Sequence, residues 1–105
     1  IRPLYGGEGM LLVVTYDVNT ASTDGAKRLR KVAKLCQKYG MRVQNSVFEV
    51  LVDAAQLSVL KHEIQKVIDL DADSVRFYRL GNSYQNKIET LGKTTLVQAG
   101  QPLIL

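Results

Sequence analysis

The chain has 105 residues, of which 46% are apolar and 23% charged, with a net charge of +4; this suits one globular domain with a modest core. No apolar run approaches the roughly 18 residues of a membrane helix, and no secretory pattern of basic start, apolar stretch and small-residue cleavage site is visible. A single cysteine, Cys36, and a single histidine, His62, exclude an internal disulfide and a Cys/His zinc cage, so a cytoplasmic protein that does not enter a membrane is expected.

Residues 1–9, IRPLYGGEG, are Gly-rich, contain a proline and carry no usable period; they are expected to be an N-terminal extension or a remnant of appended sequence. From Met10 to Tyr16 a run of apolar and β-branched residues predicts a strand buried on both faces. It ends at Asp17. The polar turn from Val18 to Gly25 offers Ser22 or Thr23 as a helix cap. The helix that follows puts Ala26, Leu29, Ala33, Cys36 and Gly40 on its inner face at three-four spacing, with Gly40 as its left-handed stop. Met41 to Asp53 is long for one strand. Its polar middle, Gln44-Asn45-Ser46, predicts two strands joined by a tight turn or bulge. Asp53 caps a second helix with Leu57, Leu60, Ile64, Val67 and Ile68 on its inner face. An acidic link, Asp69 to Asp73, leads to a fourth strand, Ser74 to Leu80, and a turn at Gly81-Asn82.

The order β-α-β-β-α-β predicts an α+β fold of the ferredoxin-like kind, an antiparallel sheet with both helices on one face, spanning residues 10–97. That arrangement leaves the other sheet face bare. A second copy laid against it, in a symmetric homodimer, would cover it. Thr94-Thr95-Leu96-Val97 suggests a short extra C-terminal strand, suited to exchange onto an edge strand of the partner. The tail, residues 98–105, ends in the apolar Pro102-Leu103-Ile104-Leu105.

Asp17, at the mouth of the first strand, is the acid that stands out, with only Asp24 near it in sequence. General acid/base work usually needs paired carboxylates, and a magnesium site takes one or two carboxylates plus water and phosphate oxygens. A two-fold axis through the bare sheet faces would bring two copies of Asp17 to one cleft, where they could hold a divalent cation. Alternatively, Asp17 only makes a side-chain turn with the backbone that follows. Lys27, Arg28, Arg30, Lys31, Lys34, Lys38 and Arg42 form a basic stripe opposed in that window by Asp24 alone. Such a stripe attracts polyanions, nucleic acid above all, or is simply a solvated helix face. Tyr16 belongs to the core or lines the cleft, Cys36 belongs to the core and His62 to solvent. Arg76-Phe77-Tyr78-Arg79 mixes basic and aromatic residues as single-strand stacking surfaces do, without the glycines of the RNA-recognition signature. The sequence has no P-loop, no Gly-x-Gly-x-x-Gly, no metal-binding His pair and no Ser/His/Asp set.

Four stretches in this order, VVTYDV, the basic helix from Lys27, RVQxSVFE at Arg42 to Glu49, and RFYRLG, resemble the CRISPR-associated protein 2 family over about residues 10–95. The resemblance implies a ferredoxin-like fold and a symmetric homodimer with the tail strand added to the partner's sheet. It implies that Asp17 is the metal-binding aspartate, holding Mg²⁺ with its twin, and that Tyr16, Arg42 and Phe48 match positions linked to activity. Arg42 would position phosphate and Phe48 would shape the cleft wall. Lys27, Arg28, Arg30, Lys31, Lys34 and Arg42 would bind nucleic acid. The implied function is a Mg²⁺-dependent endonuclease acting on DNA or RNA in spacer acquisition. The alternative is a non-catalytic DNA-binding dimer that bridges the CRISPR integrase and can dispense with Asp17.

Overall fold

The chain folds, in the computed structural model, into β1 (Met10–Asp17), α1 (Gly25–Gln37), β2 (Gly40–Gln44), β3 (Val47–Val52), α2 (Ala54–Val67), β4 (Ser74–Gly81) and β5 (Val97–Gln98). The residues described are 9–19, 21, 24–92 and 97–98. One antiparallel sheet runs β4-β1-β3-β2-β5. The expected β-α-β-β-α-β order is therefore present. No helix among the described residues is long and apolar enough to cross a membrane.

Alternation along the strands decides where the core lies. Leu12, Val14 and Tyr16 of β1 and Phe48, Val50 and Val52 of β3 point to one face and are buried, with Val14 opposite Phe48 and Leu12 opposite Val50. Leu29, Val32, Ala33 and Cys36 of α1 and Leu57, Leu60 and Ile64 of α2 close over that face. Their three-four spacing explains why both helices present an apolar stripe to the sheet. Leu11, Val13 and Thr15 point the other way and are only half-buried. The expectation that the first strand is buried on both faces is thus corrected: both helices lie on one side.

Local details depart from expectation where packing overrides propensity. The residue at the α1 N-cap is Asp24, which makes no side-chain capping bond; Ser22 and Thr23 lie outside the described residues. On α1, Ala26 is exposed and Val32 is buried in its place. Asp53 does cap α2: its Oδ1 accepts from Gln56 N at 2.8 Å, and Gln56 Oε1 accepts from Asp53 N at 2.9 Å. This is a reciprocal capping box. The β2–β3 turn falls at Asn45-Ser46, and Gly81, at φ 80°, makes the turn after β4. Val97–Gln98 pairs with Met41 and Arg42 of the chain's own β2, at the sheet edge opposite β4. The expected extension at residues 1–9 falls, except for Gly9, outside the described residues, as do Thr94 to Leu96 and the apolar Pro102 to Leu105.

Gly40 is not a left-handed helix stop. It opens β2 with ordinary backbone, and the helix has already ended at Gln37. Its lack of a side chain serves close packing, because a Cβ there would meet the Glu49 carbonyl oxygen at 1.9 Å. Backbone cannot yield as a flexible side chain can. Gly40→Ala is therefore expected to destabilise the protein by about 2 kcal/mol, measured by urea denaturation, whereas Gly81→Asn, in open space, should cost less.

Candidate active site

Asp17 is the last residue of β1 and lies opposite Ser74 of β4. Its parity puts it on the bare face, with Leu11, Val13 and Thr15, and it is exposed. Its carboxylate accepts no hydrogen bond among the described residues. The side-chain turn considered for it is made two residues later, where Asn19 Oδ1 accepts from Ala21 N at 3.1 Å. Arg76, opposite Thr15, shares this face. Its Nη1 donates to the Tyr78 hydroxyl at 3.3 Å. That bond, with a smaller contribution from the Asp17 carboxylate, pushes the Arg76 pKa up. Glu49, opposite Val13, is half-buried on the same face, and burial pushes its carboxyl up.

Tyr16 points the opposite way, into the helix-covered side. Its phenol donates to Asp73 Oδ2 at 2.5 Å. Asp73 closes the acidic link before β4, yet its side chain has no exposed surface. It accepts from Arg28 Nε at 2.7 Å and Nη2 at 3.1 Å, from Asn19 N at 3.1 Å and from Asp69 N at 3.0 Å. A buried carboxylate survives only with such partners. They hold Asp73 well below the usual carboxylate range, Arg28 foremost. Burial, helped by the bond to Asp73, pushes the Tyr16 phenol up to about 12. The signal for Asp73 was topological. In this strand order the start of β4 adjoins the end of β1, so the residue just before β4 falls beside residues 16–19.

The other candidates sit elsewhere. Phe48 is fully buried opposite Val14, a core residue. Arg42, opposite Phe48 on β2, places its guanidinium carbon 5.7 Å from that ring, and its Nε and Nη2 donate to Asn45 O at 2.8 Å and Asn45 Oδ1 at 3.2 Å. Two strands across and three residues along separate the Arg42 and Asp17 backbones by about 14 Å. Lys27, Arg30, Lys31 and Lys34 are exposed on α1, in the layer opposite the bare face. Arg28 turns inward, its guanidinium paired with Asp73. The structure thus brings Tyr16 together with Arg28, and Arg42 with Phe48, and leaves Asp17 apart from both pairs. Neither Tyr16 nor Phe48 lines a cleft with Asp17 within one chain, because strand parity sends them to the other face. Among the described residues, no group of three or more His, Cys, Asp or Glu side chains is placed to hold a metal ion.

Fold and site define a class: a small ferredoxin-like domain with an exposed aspartate ending its first strand and a basic helix in the opposite layer. The family model described as CRISPR associated protein Cas2 matches residues 10–88. A CRISPR-associated endonuclease Cas2 of Halalkalibacterium halodurans is 56% identical over 95 residues, 90% of this chain and 99% of that protein. A CRISPR-associated endoribonuclease Cas2 of Nitratidesulfovibrio vulgaris is 45% identical over 102 residues, 97% of this chain and all of that one. The crystal structure of Streptococcus pyogenes Cas2 at pH 6.5 superposes with a TM-score of 0.73 at 55% identity, covering 79% of this chain and 100% of its own. The chain belongs to the CRISPR-associated protein Cas2 family.

Proposed function

We propose that the chain is a CRISPR-associated, Mg²⁺-dependent endonuclease, hydrolysing phosphodiester bonds of DNA or RNA as a homodimer in spacer acquisition. The observation that carries this reading is the exposed Asp17 carboxylate, without a hydrogen-bond donor among the described residues, on a sheet face left open by the helices. Leu11, Val13, Val47 and Leu51 make that face apolar and half-buried, which suits cover by a second copy. Hard carboxylate oxygens open to solvent fit Mg²⁺, which needs only one or two of them besides water and phosphate. Asp17 of each chain would hold it. The bound ion supplies Lewis acidity at the phosphodiester. Arg76 draws the phosphate toward Asp17, and exposed Tyr78 offers its ring beside it. Lys27, Arg30, Lys31 and Lys34 add salt-dependent affinity.

The two relatives carry the names endonuclease and endoribonuclease, so both substrate classes belong in the test. Purified RNA and DNA are incubated with the protein, with Mg²⁺ and with a chelator. Cleavage that needs Mg²⁺ is expected. Absence of cleavage of either polymer, or cleavage indifferent to the chelator, ends this reading.

A second reading, a non-catalytic DNA scaffold for the integrase, is favoured by one feature: the basic face of α1 lies in the layer away from Asp17. Nucleic acid can engage it without that carboxylate. Lys31→Glu with Lys34→Glu is expected to weaken DNA binding about tenfold or more and to flatten its salt dependence, as read by titration at several salt concentrations. In the scaffold role, Asp17→Ala leaves both binding and spacer integration unchanged.

A further inference from the structure

The geometry points to Asp73 as a positioning residue for Asp17, acting through Tyr16 and Asn19 and held in place by Arg28; this rests on Asp17 being the working carboxylate. The β1 ladder ends at Asp17, and a chain leaving a sheet has no ladder to fix its direction. Asp73 supplies the missing hold from both sides. Its Oδ2 takes the hydroxyl of Tyr16, one residue before Asp17, and its Oδ1 takes the amide of Asn19, two residues after. Between them Val18 packs against the core. Asp73 is itself fixed by its own turn, where its amide donates to Asp69 O at 2.8 Å and its Oδ2 accepts from Asp69 N. Arg28, in the first turn of α1, grips both carboxylate oxygens. One buried carboxylate therefore ties the end of β1, the start of α1 and the loop before β4 into a rigid frame. The Asp17 side chain, on the opposite face, takes its direction from backbone clamped on both flanks.

With its side chain fully buried, Asp73 brings no carboxylate to a substrate. Arg28 likewise leaves the nucleic-acid stripe and joins the frame. Tyr16 then matters to activity without lining the cleft.

The test compares Asp73→Asn, Tyr16→Phe and Arg28→Ala with Lys31→Ala. In metal-free protein, amide exchange and ¹⁵N relaxation are read at Asp17 to Asn19, with Val14 and Val50 as core references. The three frame variants are expected to speed Asn19 exchange about tenfold and to raise mobility at Asp17, with the core references unchanged. With Mg²⁺ and substrate, kcat should fall about tenfold or more while KM holds, whereas Lys31→Ala should raise KM and spare kcat. Tyr16→Phe keeps the ring packing, so it serves if Asp73→Asn does not fold. The proposal is overturned if Asn19 exchange and Asp17 mobility stay at wild-type values, or if Arg28→Ala raises KM alone. Should the wild type prove to cleave nothing, the exchange measurement still decides whether the frame holds Asp17, separately from the nuclease reading.

Discussion

Asp17→Asn is expected to lower Mg²⁺-dependent cleavage about a thousandfold, with fold and dimer intact. The size follows from the proposed chemistry, in which each protomer would supply one carboxylate. If Asp17 holds the ion as proposed, losing it would remove a negative ligand, and with it several kcal/mol of charge stabilisation at the phosphodiester. Stability is spared because the side chain is exposed and accepts no hydrogen bond among the described residues. Surface replacements of that kind stay within about 0.5 kcal/mol. Cleavage rates with and without Mg²⁺, beside a thermal melt and a sedimentation measurement on the same preparation, check all three parts. Wild-type cleavage by the variant would remove Asp17 from the reaction.

The second large effect is on folding. Asp73→Ala should cost about 4 kcal/mol, because it removes the buried carboxylate that accepts from the Tyr16 hydroxyl, from the Asn19 and Asp69 amides and from Arg28. That is a large share of the roughly 5–15 kcal/mol that holds a typical domain together. The same carboxylate predicts a pH dependence. Its folded pKa lies below the unfolded value of about 3.9, so the unfolded chain takes up the proton first. The contribution is complete above about pH 4 to 5 and drains away as pH falls below that toward the folded value. Urea denaturation from neutral pH downward should show this acid limb in the wild type and a shallower one in Asp73→Asn. An unchanged acid limb would mean that other carboxylates carry it. At the alkaline end the sign reverses. Tyr16, raised to about 12, favours folding below its unfolded value of about 10 and loses that advantage between the two. The buried Cys36 thiol, also pushed up to about 12, adds to the same loss.

Much of the molecule was legible from residue order alone. Period-two and three-four spacing located both helices and the four main strands, because burying one face is what those periods achieve. Asp53 announced the α2 cap for a local reason: its bonds reach only to Gln56. Strand parity also separates Tyr16 from Asp17, since neighbours along a strand point to opposite faces, and this favours the core over the cleft for Tyr16.

Other features were decided only when distant segments met. Gly40 looked like a helix stop because its need for no side chain comes from Glu49, across a strand pair. Arg28 looked like one more base in a solvated stripe, and Asp73 like one more acid in a loop. Sequence composition describes each with its neighbours in the chain, whereas their partners lie 45 and 57 residues away. Local spacing determined the elements and the bare face that Asp17 occupies. Tertiary packing decided which charges were buried, because desolvation and long-range hydrogen bonding act only after the chain has closed on itself.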